Sequence, residues 1–100
     1  MTEAKLAIVA LIDAKADKAD EVKALLTSAQ PLAVEEQGTL SWYAVQINAT
    51  RFAIFDTFSD EDGLTAHLNG KIAAALLGKA DELIASEPQI MTADILASKV

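Results

Sequence analysis

The sequence predicts an α+β fold of the ferredoxin-like kind, with element order βαββαβ and two helical regions packed on one face of a four-stranded antiparallel sheet. Three observations predict it. The first apolar segment is hydrophobic on both alternation phases, two aromatic and β-branched runs sit back to back in the middle of the chain, and an amphipathic stretch follows the first and the third extended segments. The strand order that fits these connections is 4-1-3-2.

The first strand is Leu6 to Ala14, where Leu6, Ile8, Ala10 and Ile12 occupy one phase and Ala7, Val9 and Leu11 the other, as in a strand covered on both faces. Asp17 with Asp20 marks a helix start. Val22, Leu25, Leu26, Ala29 and Leu32 then form one stripe of a helix ending near Gln37. Pro31 lies within that helix and is expected to kink or divide it, because proline lacks an N–H and clashes with the preceding turn. Gly38 is the expected stop. Thr39 to Asn48 and Arg51 to Ser59 read as a hairpin joined through Asn48-Ala49-Thr50. Ser59 with Asp62 suggests the next cap, and Leu64, His67 and Leu68 fall at helical spacing. The pattern breaks at Asn69-Gly70 and resumes through Ile72, Leu76, Leu77, Ala80, Leu83 and Ile84 to Ser86, so this region divides into two helices in series. Pro88 ends it. Gln89 to Ala97 is the last strand.

One hundred residues, 52% hydrophobic and 23% charged, fit a single domain spanning residues 1–100. There are no cysteines, hence no disulfide, thiolate metal site or thiol nucleophile, which suits a cytoplasmic location. The N-terminus lacks a basic leader, and Asp13 interrupts the first apolar run well short of membrane-spanning length, so neither a signal peptide nor a membrane segment is expected. A net charge of -7 disfavours nucleic acid and anionic lipid as partners. Helices on one sheet face leave the other bare, and the two-faced first strand makes that bare face apolar. A homodimer through the sheet face is the expected remedy.

The segment Glu35-Glu36-Gln37-Gly38-Thr39-Leu40-Ser41-Trp42-Tyr43 resembles the E-x-G-x-x-x-Y passage of the antibiotic biosynthesis monooxygenase family. A second block, Phe55-Asp56-Thr57-Phe58-Ser59-Asp60-Glu61-Asp62-Gly63-Leu64-Thr65-Ala66-His67-Leu68, is similar to that family's strand-to-helix signature. The resemblance implies a dimeric α+β barrel with a pocket between sheet and helices. It also implies, for some members, oxidation of aromatic polyketides or quinols by dioxygen with neither metal nor flavin. The haem-degrading branch carries a His late in the second helical region and a Trp on the preceding helix. Here Ile72-Ala73-Ala74-Ala75-Leu76-Leu77 fills the former stretch and His67 stands near the Trp position, which disfavours haem degradation.

His67, the only histidine, sits on the apolar side of its helix and is the candidate general base or orienter. Asp56 is its natural partner, an acid on a strand among Ile54, Phe55 and Phe58. The competing reading makes His67 a polar core residue bonded to a carboxylate or carbonyl. Trp42 and Tyr43 point to opposite faces, so one faces the helices and the other the dimer side; either is a candidate pocket wall or simply core or interface packing, and Phe52, Phe55 and Phe58 divide in the same way. Asn69 at the helix break and Arg51 at the start of the third strand are weaker candidates, equally explained as a turn residue and a solvated charge. Asp13 and Asp94 read as strand ends near solvent. With no second histidine and no D-x-D spacing, no metal site is expected, and no glycine-rich phosphate loop is present, so no cofactor is expected.

The expected function is cofactor-independent monooxygenation of a small aromatic, quinol-like or phenolic ligand. A non-catalytic dimeric binding module is the main alternative, and an isomerase-like or decarboxylating relative on the same fold is a further one.

Overall fold

The computed structural model describes residues 3–100. The leader-free reading of the N-terminus, which begins at Met1 and Thr2, falls partly outside the described residues. The elements are β1 (Leu6–Asp13), α1 (Ala19–Glu35), β2 (Thr39–Gln46), β3 (Arg51–Phe58), α2 (Glu61–Leu68), α3 (Lys71–Leu83) and β4 (Gln89–Asp94). The four strands form one antiparallel sheet in the order β2-β3-β1-β4, the expected order read from the other edge.

Registry decides which side chains meet. Ile8 pairs with Asp56, Ala10 with Ile54, and Ile12 with Phe52 across β1 and β3, while Trp42 pairs with Asp56 across β2 and β3. Alternation therefore puts Ile12, Phe52, Ile54, Asp56, Phe58 and Trp42 on the helix-covered face. Ile12, Phe58 and Val22 are fully buried there and Phe52 nearly so, each burial contributing about 1.5–3 kcal/mol. Leu26, Leu76, Leu83 and Ile84 close the core from the helix side. The opposite face presents Val9, Leu11, Tyr43, Val45, Phe55 and Met91; Tyr43, Val45, Phe55 and Met91 are exposed large hydrophobics. No helix among the described residues is long and apolar enough to cross a membrane.

Several local expectations change. Asp17 does not cap α1; Lys18 holds the cap position without a side-chain bond, because Lys15–Lys18 closes a backbone turn first. Pro31 does not divide α1, which runs through it with Leu26, Ala29 and Ala33 buried on both sides of the missing rung. Burial of that stripe outweighs one lost hydrogen bond. Asp60, not Ser59, caps α2, accepting from the Gly63 N–H at 2.9 Å. The division at Asn69-Gly70 stands as expected, although α3 ends at Leu83, and β4 stops at Asp94 rather than Ala97.

Gly38 does not end α1 by a left-handed turn, since no glycine has positive φ among the described residues. Its role is close approach. A Cβ on Gly38 would stand 2.7 Å from the Gly63 Cα, and one on Gly63 would stand 2.7 Å from the Gly38 carbonyl oxygen. The chain between α1 and β2 therefore rests directly on the first turn of α2.

Candidate functional site

Three elements converge on His67. It lies on α2, buried, with Asp56 of β3 beneath one edge of the ring and Glu36, just past the end of α1, against the other. Nδ1 is 2.6 Å from Glu36 Oε1, and Nε2 is 2.8 Å from Asp56 Oδ2. The Asp56 contact is an ion contact rather than a well-aligned hydrogen bond, since neither carboxylate oxygen has an aligned donor. The Thr39 hydroxyl donates to the same Glu36 Oε1 at 2.7 Å, and the Phe58 ring lies 5.4 Å from the imidazole, centroid to centroid.

This arrangement sets the charge. Burial alone lowers the basicity of the imidazole, but the close contacts with Asp56 and Glu36 and their negative charges more than reverse it and raise the pKa from 6.5 to about 9. His67 is therefore an imidazolium at neutral pH. Asp56, with no exposed surface, has that ring as its counter-ion, as a buried carboxylate requires.

The cluster borders a cavity of about 350 Å³, whose wall includes Leu32, Glu36, Gly38, His67, Gly70 and Lys71. The volume lies within the range of small-molecule sites. Asp56 stands behind His67 and does not reach the cavity wall.

The candidate residues separate into three groups. His67, Asp56 and Phe58 come together as above. Trp42 faces the helices beside Asp56 but borders a different recess of about 230 Å³ with Gln30 and Val34, and its buried Nε1 has no partner. Tyr43 and Phe55 are cross-strand neighbours on the open sheet face, remote from the cavity. Asn69 is exposed at the end of α2, its side-chain amide donating to the Thr65 carbonyl, a capping role. Arg51 pairs with Asp13 at 3.4 Å across the ends of β1 and β3, accounting for both as strand-end charges. No group of three or more His, Cys, Asp and Glu side chains arranged to hold a metal exists among the described residues. Sequence reasoning did not single out Glu36, although it sits inside the E-x-G segment. Its signal was Thr39 three residues on, a hydroxyl placed to hold a carboxylate at a helix-to-strand junction.

Fold and site together define a ferredoxin-like α+β domain whose sheet and helices together hold a carboxylate-imidazolium-carboxylate cluster beside a small cavity. The family model described as "Antibiotic biosynthesis monooxygenase" matches residues 6–79, and the chain belongs to that family. It is similar in structure to a protein of unknown function from Nitrosomonas europaea, at 41% identity and a TM-score of 0.96, covering 100% of this chain and 97% of the other. A Pseudomonas aeruginosa protein aligns at 19% identity and a TM-score of 0.83, covering 97% and 99%. A Caulobacter crescentus protein, provisionally assigned as an antibiotic biosynthesis monooxygenase, aligns at 18% identity and a TM-score of 0.79, covering 96% and 93%. The last two likenesses show the fold alone. No curated protein matches the chain.

Proposed function

We propose that this protein is a cofactor-independent monooxygenase acting on a small aromatic, quinol-like or phenolic compound held in the cavity beside His67. One observation carries the reading: a family member places a charged cluster, Asp56, His67 and Glu36, at the wall of a cavity large enough for such a molecule. The reaction balances without an external reductant for substrates that themselves give up two hydrogens: a hydroquinone becomes a hydroxyquinone with loss of water, and an anthrone-like phenol reacts at its methylene. An activated methylene carbon gives up its two hydrogens and becomes a carbonyl, one atom of dioxygen entering the product and the other leaving as water. The protein's share is to deprotonate, desolvate and orient an electron-rich substrate.

In this reading His67 is the orienter, because both ring nitrogens are committed to carboxylates and the ring is already protonated at neutral pH. Asp56 anchors it. The open sheet face, with Tyr43, Val45, Phe55 and Met91, is proposed as the homodimer contact, since an apolar patch of this kind is unusual on a soluble monomer. A cytoplasmic location goes with the absence of cysteine.

A second reading, a non-catalytic dimeric binding module, is favoured by the same commitment of both ring nitrogens, which leaves His67 no free atom for a substrate. Oxygen uptake by metal-stripped protein against a panel of hydroquinones and anthrone-like phenols separates the two. Consumption above the spontaneous rate that is lost in His67→Gln supports the oxygenase; binding without consumption supports the module.

A further inference from the structure

We propose that Glu36 Oε2 is the proton acceptor of the cavity, acting on a small ketone with an acidic α C–H bond, while the Lys71 ammonium receives the developing enolate oxygen. The assignment rests on the reading of this cavity as a catalytic site. Four observations carry it. Glu36 is one-fifth exposed at its side chain and lines the cavity, whereas Asp56 has no exposure and His67 has no free nitrogen. Glu36 is thus the one member of the cluster that a ligand reaches with a free basic atom.

Its two oxygens are not equivalent. Oε1 takes both the His67 ring nitrogen and the Thr39 hydroxyl, while Oε2 has no donor among the described residues. Oε2 lies over Gly70, where a Cβ would come within 3.0 Å of it, and Gly70 belongs to the same cavity wall. The carboxylate is therefore clamped by one oxygen and open by the other, the geometry of a positioned base.

Lys71 completes the pair. It lines the same cavity, is exposed, and has no ion-pair partner among the described residues, Glu36 included. A base and a cation that line one cavity without pairing with each other suit a substrate whose proton and developing negative charge lie on different atoms. A phenol presents both at one oxygen; an enolisable ketone presents the proton at carbon and the charge at the carbonyl oxygen. In the step, the α C–H bond breaks, the proton passes to Glu36 Oε2, and the electron pair moves through the new C=C bond onto oxygen beside Lys71. Reversal returns a proton or, in heavy water, a deuteron. Leu32 and Ala66 supply apolar wall for the substrate's hydrocarbon part.

The experiment is anaerobic deuterium exchange into the α-methylene of 2-tetralone in heavy water, followed by proton NMR. The native protein is expected to accelerate exchange over buffer. Glu36→Gln, which retains an oxygen for both Oε1 bonds, is expected to lose that acceleration by about 100-fold or more. Lys71→Gln, an exposed change that spares the fold, is expected to lower it by less than the about 100-fold seen for a water-excluded oxyanion donor, because Lys71 is exposed to solvent. Absence of acceleration by the native protein, or equal rates in native and Glu36→Gln proteins, overturns the assignment. Because the assay excludes dioxygen, exchange without oxygen uptake in the aerobic assay upholds Glu36 and removes only the oxygenase reading; oxygen uptake without exchange overturns Glu36.

Discussion

His67 Nε2 stands 2.8 Å from Oδ2 of Asp56, a carboxylate with no solvent exposure on the face of the sheet that the helices cover. A charge so placed is tolerated only with its partner. Replacing His67 by Ala leaves Asp56 buried and uncompensated, and stability is expected to fall by about 3–5 kcal/mol in urea denaturation. The double variant His67→Leu with Asp56→Leu is expected to recover much of that loss, because no charge is then left buried. A double variant as unstable as the single one would assign the loss to packing.

Stability is also expected to depend on pH in a particular window. The folded-state pKa of His67, about 9, lies above its unfolded value of 6.5, so protonation favours the folded state. The contribution is fully present below about pH 6.5 and is lost as pH rises through about 9, with a magnitude on the order of 3 kcal/mol. Thermal melts between pH 6 and 10 are expected to show Tm falling across that window, and His67→Gln is expected to remove the fall.

Gly38 and Gly63 provide a test of how the site is positioned. Gly38→Ala drives a methyl group into backbone and is expected to cost about 1–3 kcal/mol, while shifting Glu36 from His67. Gly78, inside α3 with nothing within 4 Å of the place a Cβ would occupy, is the control; Gly78→Ala is expected to stabilise by about 0.5–1 kcal/mol. Chemical denaturation of the two variants reads both signs.

The open sheet face gives a fourth prediction. Sedimentation is expected to show a dimer at micromolar concentration and a monomer for Phe55→Glu, whose charge lies beside Tyr43 and Val9 on the apolar face. A native monomer at that concentration would contradict the proposed contact.

Much of the fold was legible because hydrophobic period and strand composition agree locally: the both-faced Leu6 segment, the hairpin and the break at Asn69-Gly70 all appear where the pattern places them. Helix ends were less legible. Asp17, Ser59 and Gly38 each had the right chemistry for a cap, but a backbone turn, the neighbouring Asp60 and the contact with Gly63 decided the outcome. At the site, pairing of Asp56 with His67 could be inferred because a buried acid and a lone histidine need one another. Glu36 could not be found that way, since it lies 31 residues before His67, in a segment that packs against α2 through the close approach of Gly38 and Gly63. The separation of Tyr43 and Phe55 from the cavity depends on strand register, which alternation alone left open.

The claim on which the site rests is that His67 is an imidazolium held between two carboxylates, and ¹⁵N NMR titration of the ring tests it most directly. Two protonated ring nitrogens at pH 7 with a midpoint near 9 is the predicted result. A single protonated nitrogen at pH 7, with a midpoint near 6.5, would contradict it.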